Sequence, residues 1–262
     1  MKLKPLVLSI ILVTLTLTAG CSSAIKLTST EAEGMVSLTG DPSSWSGNLN
    51  YLSDEKVAIG VSNNEDYLYL CLTTGDMSKV MPMFAKGFIV WLKTESDDES
   101  AIGIRYPLHN IADESRIMIN PEQFREKGRG MLITQLIKKQ DEIRILNKDR
   151  FPVTVISTSD SSALMAKLGY SRDQFIYELR VPLIIDEKNK YGINARPGEK
   201  LYVTFETESP DRDNYRGSND KRRMRPPDNT GDYPGGYDDM NPGNNERMPF
   251  EPIDFSVEVT LK

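Results

Sequence analysis

Hydrophobic and polar residues alternate along most of the chain, which is the period-two pattern of strands that pack one face against a core. The clearest segments are residues 57–61, 68–72, 88–92, 102–106, 175–181, 201–205 and 255–261, with weaker candidates at 131–137, 142–146 and 152–156. About ten strands with few helices are most economically packed as two sheets. The sequence therefore predicts an all-β fold, an antiparallel β-sandwich of the jelly-roll or immunoglobulin-like kind, with the two-sided apolar strand 88–92 at its centre.

Two short connector helices are predicted between the strands. In residues 120–128, Asn120 supplies an N-cap, Pro121 suits the first helical position and Gly128 ends the helix. Residues 161–169 begin with serine and end with glycine, which favours a second helix there.

Residues 209–252 differ in composition from the rest of the chain. They are dominated by Asp, Asn, Pro, Gly and Arg and contain hardly any aliphatic residues. Such a segment buries too little apolar area to offset the entropy of ordering it. We therefore predict a long disordered loop before the last strand, because that strand must return to the sheet.

The N-terminus has the pattern of a bacterial export signal. Two lysines precede an uncharged apolar run at residues 6–18, and the small residues Ala19 and Gly20 precede Cys21, an order that resembles the lipobox. We predict a signal peptide at 1–20, lipidation of Cys21, a tether at 21–34 and one domain at 35–262. Ser22 after the cysteine favours the outer membrane of the bacterial envelope; an ordinary cleaved signal is the alternative.

Charge and cysteine content limit the partners. The formal net charge is −6 and the pI is about 5.1, which argues against nucleic-acid binding because that function needs a basic face. Once Cys21 is acylated, Cys71 has no cysteine left for a disulfide and is predicted to be a packed side chain. The binding partners expected for the protein are a membrane, a glycan or another envelope protein.

The sequence offers little catalytic or metal-binding chemistry. His109 is the only histidine, and the chain has no nucleophile elbow, P-loop or dinucleotide-binding fingerprint. We predict no catalytic residue, although a pair of carboxylates that meet in space would permit glycoside hydrolysis. The acidic residues at 97–99 and in 209–252 lack the spacing of a calcium loop, so no cofactor or metal is predicted, and calcium is the alternative.

Aromatic residues are the remaining resource for binding, since sugars pack their C–H faces on Trp and Tyr rings. Trp45 and Trp91 are the only tryptophans. Trp91 shares a strand face with Ile89, which favours a place in the core, and a ligand platform is the alternative. Trp45 is predicted to cap one end of the sandwich. Trp91, Tyr106 and Trp45 are the candidate ligand-binding residues.

The order of several segments resembles a known family. Gly40-Asp41 with Trp45, followed by residues 57–61, 66–70 and 87–92, resembles the opening of the family 9 carbohydrate-binding module and the related DOMON domains. Residues 175–183 are similar to the strand of that family in which a glutamate precedes Ile-Pro, and residues 197–205 to the strand after it.

The resemblance implies an antiparallel β-sandwich that binds sugar or, in some DOMON members, haem. The sugar-binding members clamp a terminal sugar between two tryptophans. A haem would need an axial pair, for which this chain offers His109 with one of four methionines: Met77, Met81, Met83 or Met118.

These expectations lead to one functional hypothesis with two alternatives. The hypothesis is a membrane-anchored, non-catalytic binding lipoprotein whose ligand is carbohydrate. The first alternative is a structural lipoprotein that engages another envelope protein through residues 209–252, and the second is a haem-binding domain.

Overall fold

Most of the ordered structure consists of strands that lie in two packed sheets. The computed structural model describes residues 25–95, 97–108, 128–147, 152, 154–158, 163–187, 189–207 and 251–262. The predicted signal peptide, Cys21, His109, the helix expected after Asn120 and the loop as far as residue 250 lie outside the described residues.

The larger sheet has seven strands. In spatial order they are β1 (Ile25–Thr28), β13 (Asp254–Thr260), β12 (Lys200–Thr207), β6 (Phe88–Thr94), β7 (Asp97–Arg105), β8 (Glu142–Leu146) and β9 (Thr154–Ser157). The strand with two apolar sides, β6, lies at the centre as predicted.

The smaller sheet has six strands. Five follow one another in space, and β3 pairs with β4 beside β2: β10 (Met165–Ser171), β11 (Gln174–Pro182), β5 (Tyr67–Thr74), β4 (Val57–Asn63), β2 (Thr30–Glu31) and β3 (Leu49–Leu52).

The predicted all-β sandwich is confirmed, and the pairing differs from the prediction only near its edges. Neighbouring strands are antiparallel except for β1 with β13 and β2 with β4, which are parallel. β1 and β2 belong to different sheets and are separated only by Ser29, so the chain crosses from one sheet to the other along one side of the sandwich.

The core lies between the two sheets and is rich in aromatic rings. Phe88 meets Tyr177 of the opposite sheet edge to face at 5.2 Å, and Phe205 stacks on Phe255 at 5.2 Å. Full burial of one such side chain contributes about 1.5–3 kcal/mol relative to exposure. This interior is the rigid frame on which both outer faces of the sandwich are displayed.

The structure describes two α-helices, and neither was predicted as such. The helix α1 (Met77–Lys86) begins at the N-cap Asp76 and buries Val80, Met83 and Phe84. The helix α2 (Arg129–Lys138) includes residues 131–137, where a strand was predicted. That prediction was wrong because the buried Ile133 and Leu136 are spaced three residues apart, which suits a helix face. Among the described residues, neither helix is long and apolar enough to cross a membrane.

The helix predicted at 161–169 was also wrong, because this part of the chain enters β10. Ala166 and Leu168 point inward and are buried, while Lys167 between them is exposed. Each of these residues pairs with a partner on β11. The helical propensity of this segment is weak, and pairing in the sheet is more favourable because it buries apolar side chains and also forms hydrogen bonds for the backbone N–H and C=O groups.

The two sheets begin closer to the N-terminus than the predicted domain boundary at residue 35. Residues 21–34 were predicted to be a tether, yet β1 and β2 already belong to the two sheets. The two sheets therefore already include residue 25, and three residues separate Cys21 from Ile25 at the start of β1.

Candidate functional site

The three residues proposed as ligand contacts lie in three different places. Tyr106 faces the core, is only 3% exposed, and donates its hydroxyl to the carbonyl oxygen of Gln140 at 3.4 Å. Burial raises the pKa of Tyr106 to about 12. Its ring therefore presents no face to solvent.

Trp45 lies over the outer face of the six-stranded sheet, and not at one end of the sandwich as predicted. It ends a 3-10 turn, Pro42–Trp45, that Asp41 caps by accepting the Ser43 N–H at 2.8 Å. A Cβ at Gly60 would lie 2.5 Å from ring atom Cε3 of Trp45, so the strand approaches the indole closely only because residue 60 is glycine. Trp45 is 3% exposed and belongs to a second apolar cluster with Tyr69, Cys71 and Ile176.

Glu178 anchors this cluster. Its side chain is fully buried and accepts the indole N–H of Trp45 at 2.8 Å, the backbone N–H of Gly40 at 2.6 Å and the hydroxyl of Ser44 at 3.4 Å. Burial, and then the nearby charge of Glu178, raise the pKa of the Cys71 thiol well above its usual range. Gly40, Trp45 and Glu178, on which the family resemblance partly depends, thus contact one another in a role that stabilises the fold.

Trp91 lies on the outer face of the seven-stranded sheet and is partly exposed. The prediction that favoured the core was wrong because Val90 and Leu92, not Trp91, point inward. Trp91 packs on Gly103 of the neighbouring strand and donates its indole N–H to Glu206 Oε1 at 2.8 Å. Of the three proposed ligand residues, it is the one that reaches solvent.

A groove of about 640 Å³ opens on the outer face of the six-stranded sheet, where β3 and β4 meet the start of α1. An exposed tyrosine, Tyr51, stands at its rim with 68% of its surface accessible. The remaining lining residues are mostly small or polar: Lys56, Ala58, Thr73, Thr74, Gly75, Asp76, Met77, Ser78 and Gln174.

One polar group in this groove has no protein partner. Thr73 is 3% exposed, and its Oγ1 atom is buried without a hydrogen bond. An unpaired buried hydroxyl costs about 1–3 kcal/mol, which a ligand that supplies a partner would recover. Thr73 thus places a covered, unpaired hydroxyl at the floor of the groove.

The charges beside the groove are mutually compensated. Lys56 Nζ lies 3.1 Å from Glu251 Oε2 and 3.5 Å from Asp76 Oδ2, and the bond to Glu251 raises the pKa of Lys56. Asp76 also caps α1, accepting the Ser78 N–H at 2.9 Å and the Ser78 hydroxyl at 2.7 Å; the hydroxyl bond is the main cause of its lowered pKa. The groove therefore offers donors and acceptors without a strong excess of either charge.

Neither the groove nor its chemistry follows from a local motif. Tyr51 lies in a four-residue strand that the alternation pattern does not reveal, and Thr73, Asp76 and Gln174 come from separate segments. The one available hint was that Tyr51 lies in a short segment, residues 46–55, that is mostly polar.

Within the described ranges, no group of three or more His, Cys, Asp or Glu side chains is placed to hold a metal ion. Of the methionines considered as haem ligands, Met77, Met81 and Met83 are buried in α1, and His109 and Met118 lie outside the described residues. No protein-family model matches the chain, and no curated protein matches its sequence.

Proposed function

We propose that this chain is a lipid-anchored, non-catalytic binding protein of the bacterial envelope, and that its ligand is a carbohydrate held in the groove beside Tyr51. The observation that carries the proposal is the combination of an exposed aromatic ring with a concave floor that contains the unpartnered Thr73 hydroxyl. Small-ligand sites are typically concave and combine apolar rings with a few placed polar groups.

The chemistry of the groove favours an uncharged sugar. The Tyr51 ring suits the C–H face of a pyranose, and the Asp76 carboxylate and Gln174 amide suit its hydroxyl groups. Lys56, the one cation among the described lining residues, is already engaged by two carboxylates, so this part of the groove offers no free cation to an acidic ligand.

Loss of the Tyr51 ring is expected to weaken binding most clearly. In Tyr51→Ala, the dissociation constant for a neutral oligosaccharide found by glycan array should rise at least about tenfold, which corresponds to 1.4 kcal/mol. Calorimetry on the soluble domain, residues 22–262, measures this change. Tyr202→Ala, which removes a partly exposed tyrosine from the other sheet, is the matched control and should leave binding unchanged.

Thr73→Val tests the floor of the groove, because it removes the hydroxyl while keeping the shape. This substitution should weaken binding of the same oligosaccharide while leaving the fold intact. Glycan binding that is unaffected in both variants but lost on deletion of residues 212–248 would contradict the groove as the glycan site.

The proposed anchor requires a modified Cys21. From Cys21 to Ile25 the chain spans at most about 14 Å, since an extended chain covers no more than about 3.6 Å per residue. Acylation would therefore hold the β1 side of the sandwich near the bilayer. Mass spectrometry of protein from native membranes should find an acylated N-terminal Cys21, and Cys21→Ser should release the protein from the membrane fraction; an unmodified Cys21 rejects this part of the proposal.

A further inference from the structure

We propose that the groove beside Tyr51 lies at the bilayer-proximal end of the sandwich, and that its ligand is the sugar headgroup of a neutral glycolipid in that bilayer. The inference rests on the proposed function, because it needs both a lipid on Cys21 and sugar binding in the groove. It adds the source of the sugar, which is a lipid of the same membrane and not a free glycan.

Two sets of contacts show that β4 and β13 run in the same direction through the sandwich, although they belong to different sheets. Where both strands begin, Lys56 Nζ lies 3.1 Å from Glu251 Oε2, and the Glu251 N–H donates to the Ser78 carbonyl oxygen at 3.2 Å. Where both strands finish, Asn63 Oδ1 accepts the Lys262 N–H at 2.9 Å. The sandwich therefore has a first end, marked by Lys56 and Glu251, and a second end, marked by Asn63 and Lys262.

The groove lies at the first end. Its lining residues come from the start of β4, the end of β5 and the start of α1. Tyr51 pairs with Ala58, the second residue of β4, so the exposed ring also stands at this end.

The N-terminal strand begins on the side of the same end. β1 is parallel to β13, with Ile25 paired to Val257 in the middle of that strand and Thr28 paired to Thr260 at its finish. A chain enters a strand from the direction in which the strand begins, so it reaches Ile25 from the first end. Cys21 lies at most about 14 Å from Ile25. An acyl group on Cys21 would therefore hold the first end nearest the bilayer.

The groove and β1 also lie on the same side of the sandwich. β1 is the edge strand of the seven-stranded sheet, and after Ser29 the chain continues into β2 of the other sheet. β2 and β3 pair with the edge of β4 that β5 leaves open, β3 along its first half and β2 at its last two residues. The strand that carries Tyr51 thus shares one corner of the sandwich with the strand to which the anchor is joined.

The chemistry of this corner suits an uncharged headgroup at a bilayer surface. Tyrosine is enriched where membrane meets water, because its ring is apolar and its hydroxyl is polar, and Tyr51 is 68% exposed. The charged side chains beside the groove pair with one another at 3.1–3.9 Å: Lys56, Lys79, Glu55, Asp76 and Glu251. These pairs leave a neutral sugar as the headgroup that the groove can hold without breaking an ion pair.

A shared bilayer also favours this ligand over the same sugar in solution. When protein and ligand are held in one membrane, the concentration of the ligand near the site rises without any new contact. This gain requires a groove close to the bilayer, which is where the direction of β1 places it.

Fluorescence quenching in the lipidated full-length protein tests the orientation. Asp54 and Glu65 are matched positions, because both are exposed acidic residues in loops at opposite ends of β4. Each is replaced by cysteine and labelled with a fluorophore, and Cys71 does not compete because it is buried. Lipids with a nitroxide on the headgroup should quench the label in Asp54→Cys and leave the label in Glu65→Cys unquenched. Equal quenching, or stronger quenching in Glu65→Cys, would overturn the inference.

Vesicle flotation with the soluble domain tests the ligand. Phosphatidylcholine vesicles that contain glucosyl, galactosyl or mannosyl diacylglycerol are compared with phosphatidylcholine alone. At least one of the three glycolipids should retain the domain, and Tyr51→Ala should lower the affinity for those vesicles at least about tenfold. Tyr202→Ala, on the other sheet, is the matched control and should leave the affinity unchanged.

The two proposals fail in different ways. Binding of a free oligosaccharide that depends on Tyr51, without binding to any of the three glycolipids, would overturn this inference and leave the proposed function intact. Absence of binding to the free oligosaccharide and to all three glycolipids would reject both.

Discussion

Replacing Glu178 with alanine is expected to lower the free energy of unfolding by about 2–4 kcal/mol, because it leaves one buried and one partly buried N–H group without an acceptor. Those donors are the Trp45 indole and the Gly40 backbone. The variant no longer buries a carboxylate, which offsets part of this loss of stability. The segment that carries Trp45 is also held less tightly, which adds to the loss. Urea denaturation of the soluble domain measures the change.

Glu206→Ala is the natural control, since Glu206 accepts an indole N–H at the same distance, 2.8 Å, from Trp91. That bond lies on a partly exposed face, where water replaces the lost acceptor, so the expected cost is about 1 kcal/mol or less. Equal losses in the two variants would show that the buried position of Glu178 has no special importance.

A second large effect is expected at Gly169, where an added methyl group would overlap the backbone carbonyl of Gly40. Gly169→Ala should destabilise the protein by about 3 kcal/mol or more, because neither β10 nor the Gly40 backbone can move without losing hydrogen bonds. The midpoint of urea unfolding should fall with little change in the dependence of stability on denaturant.

Gly75→Ala is the matched control for this prediction. A Cβ at Gly75 would meet its nearest atom, the Asp173 carbonyl oxygen, at 3.4 Å, which is an ordinary contact. The Gly169→Ala and Glu178→Ala losses should also sum to more than the loss in the double variant, since both act by displacing the chain at Gly40. Strict additivity of the two losses would contradict this shared mechanism.

The two tryptophans show how similar local contacts lead to different roles. Each ring packs against a glycine of a nearby strand and donates its N–H to a glutamate. The segment at residues 32–49 covers Trp45 with Val36, Leu38 and Leu49, so that ring stabilises the fold. Trp91 remains partly exposed, and only this difference makes it a candidate for binding.

The alternation of apolar and polar residues was enough to predict two packed sheets and the central place of β6. That information is local, since a strand with one buried face must alternate whatever its partners are. The local signal was weak in two places, where residues 131–137 were predicted as a strand and form a helix, and residues 161–169 were predicted as a helix and enter a strand. In both places the outcome depended on which neighbours were available for packing.

The sequence by itself determined the fold class and the presence of aromatic residues suited to sugars, because periodicity and residue type are properties of the chain. Only the tertiary structure decided which rings are buried and that Tyr51 meets Thr73, Asp76 and Gln174 in one groove. These arrangements depend on strand register and on the path of residues 32–49 across a sheet, and both are set by long-range packing that no short stretch of sequence encodes.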